Sequence, residues 1–323
     1  MMLSSIIVLY QGEIRMVNQR KVVIIGDGAV GSSIAFTLTQ SSIVNEIVII
    51  DVNKDKAEGD ALDLNHCVAL TKPKSIKAGE YKDIKHAKVI ILACGVGQRE
   101  GETRIQLLER NKRIFDSVID SMNPYLDDDA IILVVTNPVD ILSYYVMSKV
   151  KLSASQVIGS GTVLDTARFK YLLSNDVGVD ARSIHAYVIG EHGDSEVVAL
   201  SATRIAGYPI EKFYSAKRKQ RLEHIVREVK ESAYEIISKK GSTYYGIAVS
   251  TKRILESIIG DEHSVLTVSA LINDAYNGQI KDVYLSLPCV VSSAGVEGII
   301  TPELSPEEQE KLANSARILK ENL

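Results

Sequence analysis

Four short, continuous apolar runs, separated by stretches of helical periodicity, constrain this chain more than any other feature. They are "KVVII", "EIVIIDV" (Glu46–Val52), "AKVIILA" (Ala87–Ala93) and "AIILVVT" (Ala130–Thr136). An apolar run of this length without alternation reads as a strand buried on both faces. Between the runs, "KDKAEGDALDLNHCVAL" and "TRIQLLERNKRIFDSVIDSM" have the spacing of helices. Strands alternating with helices imply a parallel sheet covered on both sides, and such sheets bind ligands beyond the carboxyl ends of their strands.

The first run leads into "GDGAVG", whose Gly26, Gly28 and Gly31 match G-x-G-x-x-G. Alone the pattern is weak, because a glycine turn also serves close strand–helix packing. Here a strand precedes it, a helix follows it, and Asp51 ends the next strand twenty residues beyond Gly31. Gly28 lets backbone approach a pyrophosphate, the helix N-terminus stabilises its charge, and Asp51 accepts the ribose hydroxyls. The expected cofactor set is Gly26, Gly28, Val30, Gly31 and Asp51. An acidic residue at 51 would repel a 2′-phosphate, which favours NAD over NADP.

The fold class expected is therefore α/β: a Rossmann-type doubly wound parallel sheet, followed by a mixed α/β part with antiparallel strands. The rhythm changes near residue 155, where "SIHAYVIG", "EVVALSATRIAG" and "KDVYLSLPCVV" read as antiparallel strands. Two long helices are expected near Glu211–Lys239 and Thr243–Ile258. A terminal helix opens with Ser305 at the N-cap, Pro306 at the first position, and Glu307 and Glu308 in the first turn. The division is 16–155 for a dinucleotide-binding domain and 156–323 for a second domain. Residues 1–15 are expected to be a non-native or disordered extension. "QGEIRM" can be encoded with AAGGAG ahead of an ATG, so translation is expected to begin at Met16.

Composition excludes several function classes. The chain has 323 residues, 46% hydrophobic and 24% charged, with a formal net charge of -4. That balance lacks the footprint of a general nucleic-acid binder. The basic run "SAKRKQR" (Ser215–Arg221) reads as a solvated helix face. Cys67, Cys94 and Cys289 are far apart and form no CxxC pair, which argues against a disulfide framework or a structural zinc and for the cytoplasm. Nothing is apolar for long enough to span a membrane.

Several polar segments remain. "IGEHGDSEV" places His192 between glycines after an apolar strand, and "GSGTVLDTARFKYLL" sets Asp165 and Arg168 one helical turn apart. Read locally, Asp165 is a helix cap, Arg168 a surface ion-pair partner, and Asn137 in "TNPVD" an N-cap with Pro138 at the first helical position. Together with "GETR", these segments resemble the L-lactate/malate dehydrogenase family in order and spacing across residues 20 to 320, on its bacterial lactate-type side.

That resemblance implies an NAD-dependent enzyme, usually a homotetramer, that transfers hydride reversibly between NADH and pyruvate to give L-lactate. His192 is then the acid–base, and Asp165 fixes its tautomer and favours its protonated form. Arg168 clamps the substrate carboxylate with a forked contact, and Arg104 polarises the carbonyl. Asn137 hydrogen-bonds near the reacting oxygen and cofactor while keeping its cap, and Thr243 lines the substrate pocket. Malate and bulkier 2-hydroxyacid dehydrogenases are the neighbouring alternatives, and a non-catalytic NAD-binding regulator is the alternative from another class.

The loop "GVGQREGETR" (Gly95–Arg104) becomes the lid over the substrate, with Gly95, Gly97 and Gly101 as its flexible points. Gln98 falls where lactate-type members carry Gln and malate-type members carry Arg. A neutral residue offers nothing to a second carboxylate sealed under the lid, which costs roughly 2–5 kcal/mol. Lactate-type lids usually read Gln-Lys-Pro-Gly, whereas Arg99 and Glu100 follow here, so a fixed backbone angle is lost. Many bacterial members bind fructose 1,6-bisphosphate with an Arg and a His. His185 matches the His, but Lys170 stands in place of the Arg, so weak or absent activation is expected.

Overall fold

Burial on both faces explains why the strands are apolar throughout. The structure is a computed structural model describing residues 18–97, 104–215 and 218–323. The expectations for residues 1–15, for a start at Met16, and for Gln98, Arg99, Glu100 and Gly101 lie outside the described residues. Of Arg104 only the backbone is described.

The first half runs β1 (Asn18–Ile25), α1 (Ala29–Thr39), β2 (Glu46–Ile50), α2 (Lys54–Val68), β3 (Ser75–Ala78), β4 (Ala87–Leu92), α3 (Arg104–Met122), β5 (Ile131–Val134), α4 (Val139–Met147) and β6 (Val157–Gly159). Val22 on β1 stands in register with Ile47 and Val89, and Val89 with Ile131; all four enter one hydrophobic cluster. Their neighbours Val23, Val48, Ile90 and Ile132 form the next row and enter the cluster on the opposite face. Each such buried side chain stabilises the fold by about 1.5–3 kcal/mol.

The second half runs α5 (Val163–Val177), β7 (Ile184–His185), β8 (Val188–Ile189), β9 (Val197–Val198), β10 (Arg204–Ile205), β11 (Tyr208–Pro209), α6 (Lys219–Lys240), α7 (Tyr245–Gly260), β12 (Ser264–Leu266), β13 (Ser269–Ile272), β14 (Val283–Ser286), β15 (Cys289–Ser292), β16 (Gly295–Ile299) and α8 (Pro306–Lys320). The main sheet has the order β14-β13-β6-β5-β4-β1-β2-β3. β3 to β6 are parallel, while β13 and β14 extend the sheet antiparallel from β6. Strand order reverses between β1 and β4, which opens a crevice at their carboxyl ends.

The glycine turn joins β1 to α1 at close range. Gly26 has φ +103°, and a Cβ there would meet the Cys94 nitrogen at 2.4 Å. A Cβ on Gly31 would lie 1.8 Å from the Gly26 carbonyl oxygen. Both positions therefore exclude any side chain: at Gly26 the backbone leaving β4 lies against the turn, and at Gly31 α1 packs directly on the strand it leaves.

The terminal helix forms as its sequence signals. Ser305 Oγ accepts from the Glu308 N–H, and Glu308 Oε2 accepts from the Ser305 N–H at 2.9 Å. The expected cap at Asn137 is not observed. α4 begins at Val139, Pro138 holds the cap position, and no side chain caps the helix. Pro138 has ψ 112°, an extended conformation, and its own carbonyl accepts the first helical bond from Leu142. The helix thus starts one residue later than the Asn-Pro signal suggests. The long helix expected from Glu211 starts instead at Lys219, after a 3₁₀ turn over Ile210–Phe213. Thr243 sits just before α7 and not within it.

Candidate active site

Two cavities among the described residues hold expected site residues. The first, about 660 Å³, lies at the carboxyl ends of β1, β2 and β4 and is lined by Gly26, Gly28, Asp51, Tyr81 and Cys94 among others. Gly28 is the N-cap residue of α1; no side chain caps it and the first turn holds no acidic residue. The helix therefore presents its positive end to an anion. A Cβ added at Gly28 would enter open space, so the glycine keeps the cradle clear and not the packing. Asp51 is oriented by two backbone groups: Oδ2 accepts from Asp27 N–H at 2.6 Å and Oδ1 from Asn53 N–H at 2.8 Å. Val30 packs against the core on α1. These residues fit a dinucleotide with a free 2′-hydroxyl.

Asp27, inside the glycine turn, is a residue that sequence reasoning passed over. It is 1% exposed, pairs with Lys56 at 3.0 Å, and leaves Oδ1 without a partner among the described residues. Burial pushes its carboxyl up to about 6, with Lys56 working the other way and Asp60 adding repulsion.

The second cavity, about 250 Å³, brings together Asn137, Asp165, Arg168 and His192 with Glu196 and Lys230. Asp165 lies in the first turn of α5, which starts where Thr162 is tied down: its N–H donates to the Thr267 carbonyl and its hydroxyl to the Val188 carbonyl. The β8–β9 pair then carries His192 in the connection between its strands. His192 Nδ1 lies 2.6 Å from Asp165 Oδ2, and Arg168 Nη1 donates to Asp165 Oδ1 at 2.6 Å. One carboxylate thus orients both groups, and the ring's Nε2 is left for the cavity. The His192 N–H donates to Asp140 Oδ2 at 2.8 Å, which fixes the loop from behind.

The electrostatics follow from burial and pairing. Burial opposes a charge on His192, but the Asp165 charge and hydrogen bond outweigh it, with help from Asp140 and Glu196, and push the imidazole up to about 9. Burial would raise Asp165, yet His192 and Arg168 hold it below the usual carboxylate range. Burial pushes Asp140 up to about 6, against the hydrogen bond from His192. The local readings of Asp165 and Arg168 fail here. The cap position of α5 is Thr162, and the Arg168 side chain is 13% exposed, so neither residue serves a solvated surface.

Other expected residues are placed less directly. Asn137 lines the second cavity, its carbonyl accepting from Asn111 Nδ2 at 3.2 Å. Thr243 is half-buried ahead of α7. Lys170 is half-buried on α5, which packs against β7, where His185 is exposed. The basic run contributes Arg218 and Arg221, both paired with Asp176. Sequence reasoning missed Asp140, Asn111, Glu196 and Lys230. The first and third carried a signal, being acidic residues set at the edge of apolar segments. Among the described residues no cluster of three metal-ligating side chains occurs, and no helix is long and apolar enough to cross a membrane. All three cysteines are free.

Residues 20–159 match the lactate/malate dehydrogenase NAD binding domain, and residues 162–323 match the lactate/malate dehydrogenase alpha/beta C-terminal domain. The chain is 46% identical over 312 residues to L-lactate dehydrogenase 1 of Clostridium acetobutylicum, covering 95% of this chain and 99% of the relative. It is 46% identical over 306 residues to the L-lactate dehydrogenase of Priestia megaterium, covering 94% and 95%. Among solved structures it is similar to a lactate dehydrogenase from a Medee basin deep-sea metagenome library, with a TM-score of 0.90 at 43% identity over 94% of this chain and 98% of that one. The minor L-lactate dehydrogenase of Enterococcus mundtii also aligns with a TM-score of 0.90, at 40% identity over 94% and 97%.

Proposed function

The chain belongs to the lactate/malate dehydrogenase family, and from that premise we propose that it is an NAD-dependent L-lactate dehydrogenase with His192 as its acid–base. The observation that carries this reading is the Asp165 carboxylate shared between His192 Nδ1 and Arg168 Nη1, each at 2.6 Å. Bound NADH supplies the hydride for reduction of the keto carbon. His192 donates its Nε2 proton to the keto oxygen of pyruvate and takes it back when L-lactate is oxidised. Asp165 keeps that proton in place at neutral pH and holds the tautomer. Arg168 receives the substrate carboxylate in a forked contact that a lysine does not reproduce. Arg104, at the start of α3, stabilises charge developing on the reacting oxygen, and Asn137 hydrogen-bonds beside it. Thr243 lines the side-chain pocket, and Gln98 selects a monocarboxylate by its neutrality.

The wider assignment follows the same reading. Residues 16–155 bind NAD through Gly26, Gly28, Val30, Gly31, Asp51 and Asn137, and residues 156–323 bind substrate. The enzyme assembles as a homotetramer in the cytoplasm, and fructose 1,6-bisphosphate at Lys170 and His185 activates it weakly or not at all. The deciding experiment follows NADH absorbance with pyruvate, oxaloacetate and 2-oxoisocaproate in parallel. Pyruvate should turn over fastest, and Gln98→Arg should shift preference toward oxaloacetate. Faster oxaloacetate turnover by the unaltered enzyme, or an unchanged ratio in the variant, overturns the role of Gln98.

A further inference from the structure

Among the titratable side chains that line the chemistry cavity without a part in the reaction, Glu196 is the one with a buried oxygen that has no hydrogen-bond partner among the described residues. Glu196 follows His192 by four residues, directly before β9, and is 5% exposed. It lines the same cavity as Asp165, Arg168 and His192. Its Oε1 is buried and has no hydrogen-bond partner among the described residues. A buried carboxyl left in this condition is costly as an anion, so its placement requires a reason.

Its surroundings supply one. Asp165 and Arg168 face it from α5 and Lys230 from α6, with His192 in its own loop. Asp194 and Tyr234 line the same cavity. Among the described residues, Asp140 and Glu191 add further charge nearby; α8 reaches the loop through the neutral Ser315 hydroxyl. Burial and Asp165 push Glu196 up to about 8, against the pull of His192, Lys230 and Arg168. The carboxyl is therefore uncharged at neutral pH and ionises in the range where an imidazolium begins to lose its proton.

We propose that Glu196 is a positioning residue for the acid–base step: facing the His192–Asp165 pair across one cavity, its carboxyl sets the pH up to which His192 keeps its proton. This rests on the reading of His192 as acid–base given above. Below neutral pH the protonated carboxyl adds no charge. As pH rises it ionises, and the new negative charge stabilises the imidazolium beyond what Asp165 achieves alone. The protons leave the pair in two overlapping steps, and donation to pyruvate persists into alkaline solution. A substrate carboxylate on Arg168 disfavours a second anion nearby, so the effect belongs to the free enzyme and to kcat/KM more than to kcat.

Glu196→Gln cannot ionise and tests this directly. The alkaline limb of kcat/KM for pyruvate should move to lower pH by about half a unit to one unit, with a smaller displacement in kcat. A merely structural role would lower activity without displacing the limb. An unmoved limb, or one displaced to higher pH, overturns the inference. A second measurement needs no stable variant at 196: the ring signal of His192 in the unaltered enzyme, identified by its loss in His192→Gln, should titrate in two steps. A single step also overturns the inference. His192→Gln separates the two levels of argument. If it still reduces pyruvate well, the acid–base reading fails; if it does not and the limb in Glu196→Gln stays put, only the role of Glu196 fails.

Discussion

Asn111, wholly buried on α3, joins the exit of β4 to Asn137: its Oδ1 accepts from the Val96 N–H at 3.0 Å and its Nδ2 donates to the Asn137 carbonyl at 3.2 Å. One side chain thus ties the root of the Gly95–Arg104 loop to a residue lining the chemistry cavity. Asn111→Leu keeps the branching and the number of side-chain heavy atoms, although it is bulkier, and orphans a donor and an acceptor, each worth about 1–3 kcal/mol when unsatisfied. Urea unfolding should show a loss of about 2 kcal/mol or more, accompanied by a fall in kcat/KM for pyruvate. An unchanged midpoint and slope would show that the two backbone groups find other partners.

Asp165→Asn removes the charge that overcomes burial at His192. The imidazole, now at about 9, should titrate at lower pH, since burial then acts with less opposition. Pyruvate reduction needs the protonated ring, so its kcat/KM at pH 7.5 should fall on the order of 10²-fold or more, as loss of a tautomer-fixing carboxylate does in hydrolytic triads. Lactate oxidation needs the neutral ring and should suffer less. Equal losses in both directions would contradict the protonation argument.

Two glycines of one turn should behave oppositely. At Gly31 a Cβ would meet the Gly26 carbonyl oxygen at 1.8 Å, whereas at Gly28 it would enter open space beside the cofactor cavity. Gly31→Ala should therefore prevent folding or lower Tm sharply. Gly28→Ala should fold with nearly native Tm yet bind NADH at least tenfold more weakly by fluorescence titration, because backbone approach to the pyrophosphate is lost. Native affinity in Gly28→Ala would remove the cradle argument.

Stability of the ligand-free protein should decline from weakly acidic to alkaline pH. His192 at about 9, Glu196 at about 8, and Asp140 and Asp27 at about 6 all hold protons more tightly when folded. The raised histidine stabilises fully below its ordinary value and loses that contribution as pH rises through 9. The raised carboxyls accumulate a penalty between the ordinary carboxylate range and their folded values. Folding thus binds protons, and the slope is negative. Lowered carboxylates such as Asp165 and Asp83 act in reverse, their stabilisation being lost as pH falls below the ordinary carboxylate range. The maximum should lie between about pH 4.5 and 6. A urea midpoint that rises from pH 6 to pH 9 would contradict this.

How much was legible depends on whether the cause is local. The rows of Val22, Ile47, Val89 and Ile131 follow from period and length alone, and the α8 cap follows from four consecutive residues. β3, β6, β12, β13 and β16 were not anticipated. They are five residues or fewer, too short to show a period, and some pair far along the chain, as Ser269 does with Gly159. Asn137 shows the converse error. Its local signal names a cap, but the helix begins after Pro138, and the Asn137 carbonyl instead meets Asn111.

By itself, the sequence determined the parallel sheet, the glycine turn with its acidic partner at Asp51, and the identity of the residues able to do acid–base chemistry. These depend on periodicity, on steric demands of a few neighbouring residues, and on side-chain type. Only the tertiary structure decided that Asp165 serves His192 and Arg168 at once, that Asp140 holds the loop from behind, and that Glu196 is sealed into the same cavity. Charge state in a buried site depends on how much water is excluded and which charges are enclosed together. Both are set by segments that meet only when the chain is folded.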